Sequence, residues 1–157
     1  MRLGSGLSLS REPVSLGAVV TAVVDEIEAA SPSARIVLKD GANTVGQWDR
    51  AKLSRLVMNL LRNAVQYGDP EQAIQVVLDE SDGNARLRIE NAGDPIPADV
   101  LSQIFEPMTR GDADVQRRGT NLGLGLFICR QIVDAHGGNI SVRSDATGTH
   151  FLVLLPC

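Results

Sequence analysis

The chain has 157 residues, 43% of them hydrophobic, which is enough for one compact core and too few for a second to be expected. Its net charge of −4 and pI of about 5.1 give no general attraction to nucleic acid or to an anionic membrane. Cys129 and Cys157 lie far apart and outside any Cys-x-x-Cys pair, so neither a zinc site nor a disulfide framework is indicated, and a reducing cytoplasm fits best.

No apolar run approaches the roughly 20 residues that a membrane helix needs. Residues 1–10, MRLGSGLSLS, lack the long apolar segment of a secretory signal, so any membrane link is expected outside this chain. Residues 14–30, VSLGAVVTAVVDEIEAA, repeat apolar groups at helical spacing and stop before Ser31-Pro32, since a residue before proline resists the α conformation. RIVLKD (35–40) and NTVGQW (43–48) are short, β-rich and separated by Gly41, which predicts a pair of strands. Asp49 can cap a second helix, with Leu53, Val57, Leu60, Leu61 and Ala64 on one face. AIQVVLDE and NARLRIEN alternate apolar and polar residues around Ser81-Asp82-Gly83, a hairpin pattern. PADVLSQIF predicts a short helix. Residues 106–121 carry no apolar periodicity and are rich in Gly, Asp and Arg, so they read as a long mobile loop of the kind that is usually functional. The last helix covers 122–136, ends at Gly137-Gly138, and leads to the strands NISVRS and THFLVLLP across a turn at Gly148. The expected fold is a two-layer α/β sandwich: one mixed sheet of about five strands with three main helices on one face.

Three segments carry chemistry. In NLGLGL (121–126), Gly123 and Gly125 stand where a helix begins. They either let that first turn pack closely on the sheet, or open its free N–H groups to phosphate oxygens at the positive end of the helix dipole. No Gly-Lys-Ser/Thr follows, so this is not a P-loop. In SRLVMNLLRNAVQYG, Asn59 and Asn63 are four apart and share one side of the helix at the border of its apolar stripe. Each alone reads as a solvated rim residue; as a pair, their amide oxygens suit Mg²⁺, a hard cation that takes few protein oxygens. In RIENAGDPIP, a strand ends at Asn91 and Gly93, residues that are also common at any strand exit.

Taken together and in this order, these segments resemble the N, G1 and G2 boxes of the ATP-binding catalytic domain of sensor histidine kinases, within the gyrase, chaperone, kinase and mismatch-repair ATPase superfamily. NLLRNAVQYG resembles the N box, IENAGDPIP the G1 box, IFEPMTRG the F box, LGLGLFICRQIVDAHGG the G2 box and its helix, and GTHFLVLLP the closing strand. The resemblance covers residues 10 to 156. It implies that residues 11–157 form the catalytic domain and 1–10 the remnant of a link from a dimerisation or phosphoacceptor domain.

The resemblance also implies roles. Asn63 holds Mg²⁺, Asn59 lines the phosphate side, and the two serve phosphoryl transfer; Tyr67 borders the nucleotide. ATP is further contacted by Asn91, Gly93, Ile96, Phe105, Arg110, Leu122, Gly123, Leu124, Gly125 and Thr149. Residues 106–121 become an ATP lid, in which Arg110, Arg117 or Arg118 is a candidate phosphate partner. Four positions depart from the pattern. Asn91 replaces the adenine-binding aspartate, Pro95 the second G1 glycine, Gln66 a common lysine and Asn121 the first G2 glycine. No His-Asp or His-Glu pair occurs, so the phosphoacceptor is expected on a separate domain, with a response regulator downstream. Neither His136, at a helix end, nor His150, in a strand, suits that role. Two other readings stay open: an ATP-hydrolysing or ATP-gated domain of the same superfamily, and a degenerate module that only binds partners. Asn59 weighs against hydrolysis, because the hydrolase branches place a glutamate there as general base, and an amide cannot take the proton.

Overall fold

A computed structural model describes residues 8–41, 44–106 and 122–157, with residues 122–124 described by backbone alone. The first strand, β1 (Glu12–Ser15), runs into α1 (Leu16–Ala30). Then come β2 (Ile36–Asp40), β3 (Val45–Trp48) and α2 (Arg50–Tyr67), followed by the hairpin β4 (Ile74–Ser81) and β5 (Asn84–Asn91). The chain continues through α3 (Ala98–Leu101) and α4 (Leu122–Ala135) to β6 (Asn139–Asp145) and β7 (Gly148–Pro156).

Five strands form one mixed sheet in the order β2-β4-β5-β7-β6, with β2 and β4 parallel and the other pairs antiparallel. Alternation gives this sheet one buried face: Val76, Leu78, Leu87, Ile89, Phe151 and Val153 all point to the helices. α2 lies between α1 and α4 and contributes Leu53, Leu56, Val57, Leu60 and Leu61, all fully buried. The β4–β5 hairpin closes through Asp82 (φ 52°) and Gly83 (φ 79°), the two left-handed positions that match the twist of the strands. The two-layer sandwich, the sheet of five and the helical face are those the sequence predicts.

Three expectations are corrected. Residues 35–40 and 43–48 do not pair with each other: β2 pairs with β4, and β3 pairs with β1 in a separate two-stranded sheet. The first helix begins at Leu16 rather than Val14, because Ser15 is its cap and accepts a hydrogen bond from the Ala18 N–H at 3.2 Å, which leaves Val14 to β1. The predicted helix over 97–105 is only the four residues of α3, followed by turns. Most of the expected loop, with Arg110, Arg117, Arg118 and Asn121, lies outside the described residues.

Candidate functional site

Asp49 sets the start of α2. Its carboxylate accepts from the Lys52 N–H at 3.1 Å and the Ser10 N–H at 2.9 Å, while its own N–H donates to His136 Nε2 at 3.1 Å. The other ring nitrogen of His136 faces the Ile132 carbonyl at 2.8 Å. An Nδ1–H donor and an Nε2 acceptor describe a neutral imidazole, and burial accordingly holds the His136 pKa below its ordinary value. Both ring nitrogens of His136 are thus engaged within the fold. His150 lies half-buried in β7 with Nδ1 3.4 Å from a Glu90 carboxylate oxygen.

With its start fixed, α2 carries Asn59 and Asn63, both half-buried, along one edge of its apolar stripe. Asn59 Nδ2 donates to the Gly125 carbonyl in the first turn of α4 at 3.4 Å. Nearby, the Cys129 thiol donates to the Leu56 carbonyl at 3.8 Å, and burial pushes its pKa up to about 12. Asn59, Asn63, Gln66 and Gly125 line an open cavity of about 540 Å³ between α1, α2 and α4. The two segments that the sequence marks as phosphate-facing are thus neighbours across one cavity. Arg55 and Arg62 line it as well, with Glu26 the acidic residue on its wall. The Arg62 side chain makes no hydrogen bond or ion pair among the described residues. The sequence reading passed over both arginines, since a charge on an exposed helix position looks like solvation; only the i, i+4 spacing of Arg55 to Asn59, and the i, i+3 spacing of Asn59 to Arg62, could have flagged them.

A second group gathers at the other end of α2. Gly68, which caps the helix, backs onto Asn91: a Cβ there would lie 3.1 Å from Asn91 Cβ and 3.2 Å from its Nδ2. Asn91 ends β5, is 8% exposed, and donates from Nδ2 to the Ala92 carbonyl at 3.2 Å. That same carbonyl accepts from the Asp69 N–H at 2.7 Å, tying the α2 exit to the β5 exit. Thr149 sits opposite Asn91 on β7, buried, with its hydroxyl 2.9 Å from Ser144 Oγ. Ser144 Oγ accepts from the Ile96 N–H at 2.8 Å. The turn between these residues needs glycine at Gly93 (φ 146°), where a Cβ would stand 3.0 Å from the Tyr67 carbonyl. The Tyr67 hydroxyl is buried with no partner among the described residues, and burial raises its pKa. Phe105 packs edge-on against Phe151, ring centres 6.2 Å apart at 75°.

So Asn91, Gly93, Ile96 and Thr149 meet at one end of the sheet, next to Tyr67, while Asn59, Asn63 and Gly125 meet along α2. Ser144 joins the group at the sheet end without having been anticipated, because a lone serine in a strand carries no sequence signal. Leu122, Gly123 and Leu124 fall in the first turn of α4, their side chains outside the description, and Arg110 lies outside the described residues.

The family model of the histidine kinase-, DNA gyrase B-, and HSP90-like ATPases matches residues 48–157. The chain belongs to this ATPase family. Within it, the similarity is to sensor histidine kinases. A probable sensor kinase SilS of Salmonella typhimurium is 38% identical over 74% of this chain and 24% of its own length. The sensor histidine kinase CusS of Escherichia coli O157:H7 is 35% identical over 93% of this chain and 30% of its own length. For a probable sensor histidine kinase TcrY of Mycobacterium tuberculosis the identity is 34%, over 99% of this chain and 33% of its own length. Among solved structures, the mycobacterial sensor histidine kinase MprB superposes with a TM-score of 0.80 at 27% identity, covering 94% of this chain and 97% of that one. This ATPase-family chain therefore spans about a quarter to a third of the length of those curated relatives. No helix among its described residues is long and apolar enough to cross a membrane.

Proposed function

We propose that this chain is the catalytic domain of a two-component sensor kinase, which binds Mg-ATP and passes the γ-phosphoryl group to a histidine on a separate dimerisation domain. The observation that carries the reading is the cavity shared by Asn59, Asn63 and Gly125, with two arginines on its wall. Neutral amide oxygens at the edge of a polar cavity fit Mg²⁺, which accepts one or two protein oxygens and completes its shell with water and phosphate. Bound there through Asn63, the ion would neutralise phosphate charge as the bond to the γ-phosphorus is broken. The Asn59 amide, tied to the Gly125 carbonyl, holds the start of α4 against α2 at the cavity wall, where the free N–H groups of a helix start would meet phosphate oxygens. Arg62 adds a cation where Gln66 gives none. At the far end, the edge of Asn91 and the Thr149 hydroxyl read the base, and Tyr67 closes the side; Ile96, Phe105, Leu122, Gly123, Leu124 and Arg110 complete the contacts.

Asn59 also speaks against the hydrolase reading, since its amide is occupied as a donor to Gly125 and cannot serve as base for water. Residues 1–10 are the lead-in from the acceptor domain, a response regulator is the downstream partner, and the domain works in the cytoplasm. Mixing the chain with an acceptor domain and γ-labelled ATP tests the reading: label should appear on the acceptor histidine only when Mg²⁺ and both proteins are present. Rapid ATP hydrolysis by the chain alone, without labelling of the acceptor, would reverse the choice.

A further inference from the structure

The buried polar side chains at the base end share one property: each can both donate and accept a hydrogen bond. Asn91 and Thr149 are buried, Ser144 is half-buried, and none of the three carries a charge. The Asn91 amide is held in place. One N–H is committed to the Ala92 carbonyl at 3.2 Å, and Gly68 stands directly behind its nitrogen. A primary amide has two N–H groups and one carbonyl oxygen, so the committed bond still leaves one donor and one acceptor for a ligand. The Thr149 hydroxyl is equally adaptable. Its partner Ser144 Oγ accepts from the Ile96 N–H and retains both roles toward Thr149, so either hydroxyl can supply the proton between them.

From this we infer that the site is tolerant at the purine 6-position, and takes 6-oxopurine triphosphates as well as ATP. The inference rests on the reading of Asn91 as the base contact. Adenine presents an amino donor at position 6 beside an acceptor at N1. Hypoxanthine presents the opposite pair, an oxo acceptor beside an N1–H donor. A carboxylate in place of the amide would accept only, so an oxo group facing it would set acceptor against acceptor in a buried place, a mismatch of the kind that polar sites reject strongly. The fixed amide keeps a donor and an acceptor free side by side, and the Thr149 hydroxyl can reverse its own role, so a small shift of the base satisfies either edge.

Calorimetric titration with Mg-ATP and with the magnesium salt of inosine triphosphate tests this; the inosine base alters the 6-position without adding the 2-amino group of guanine. The native chain should bind the two within about tenfold, the scale of one neutral hydrogen bond. Asn91→Asp should lower the affinity for inosine triphosphate relative to ATP by a further factor of about ten or more, and Asn91→Ala should weaken both alike. If Asn91→Ala leaves ATP binding unchanged, Asn91 does not touch the base and both readings fall. If Asn91→Ala does weaken ATP, yet the native chain rejects inosine triphosphate by much more than tenfold, the base contact stands and the tolerance is wrong. The native chain alone decides that last point, whether or not the aspartate variant folds.

Discussion

Gly125→Ala separates the two uses of the glycines at the start of α4. A Cβ built on Gly125 finds Asn59 Cγ as its nearest neighbour, at 3.9 Å, which is ordinary van der Waals contact. The methyl group therefore meets no repulsion, and alanine is the better helix former by about 1 kcal/mol. For a domain of this size that corresponds to a melting temperature higher by roughly 2–4 °C without ligand. The same methyl stands on the cavity wall beside Asn59, where the triphosphate would approach. At a ligand concentration about 100 times Kd, binding stabilises the folded state by about 2.7 kcal/mol; a roughly 30-fold loss in affinity would leave about 0.9 kcal/mol. Paired melting curves with and without Mg-ATP read both numbers. The expected variant is equal or more stable when empty and loses most of its ATP-induced shift. A variant that melts early when empty yet keeps the full shift would make Gly125 a packing residue and refute the phosphate role.

Other perturbations probe separate parts of the site. Asn63→Ala should abolish Mg-dependent labelling of an acceptor domain while changing stability by no more than about 0.5 kcal/mol, because a rim amide holds little of the core; normal transfer by this variant would remove Asn63 from the metal. Arg62→Ala should weaken Mg-ATP by roughly tenfold and make its binding less sensitive to salt, as expected when a phosphate contact is lost; an unchanged salt dependence in titrations would return Arg62 to the solvent. For His136, the folded-state pKa lies below the ordinary 6.5 because of burial, against the opposing pull of the Ile132 carbonyl, with Asp49, Lys52 and Arg11 the charges that face it. The neutral ring's contribution is fully present above 6.5 and is lost as pH falls through the lower folded value, since the unfolded chain then binds the extra proton. Melting temperature should therefore drop between pH 7 and 5, and His136→Ala should melt lower at pH 7 but with a flatter slope over that range. The Asp49 carboxylate, which the Ser10 and Lys52 N–H groups hold below 3.8 against its burial, acts only at more acidic pH and leaves this window clear.

What could be read from the sequence followed from local repetition. The stripe Leu53, Val57, Leu60, Leu61 and Ala64 marks α2 because each turn repeats the same face, and the alternation on either side of Asp82-Gly83 marks a hairpin whose partners are near in sequence. The pairing of β2 was not legible for the complementary reason: Ile36–Asp40 bonds to Ile74–Leu78 across the whole of α2, and no local pattern encodes a parallel partner that far away. β1 was missed because Glu12–Ser15 is four residues with a proline, too short to show a period and tolerated there as one strand of a two-stranded ribbon. At the site, Asn59, Asn63 and Asn91 stood out because an amide beside an apolar run is unusual, whereas Arg62 offered only its spacing from Asn59 and Ser144 acquires meaning only from what the fold sets next to it.

The hydrogen bond from the Ser10 N–H to Asp49 gives the incoming chain a mechanical purchase. β1 runs alongside β3, whose end, Trp48, adjoins Asp49, and the capping carboxylate grips Ser10, two residues ahead of β1. Behind that grip, α2 is a rod of eighteen residues, about 27 Å long. Asn59 and Asn63 ride at its middle and Tyr67 at its tip, so a tug or twist on the leading segment is applied at one end of a stiff lever.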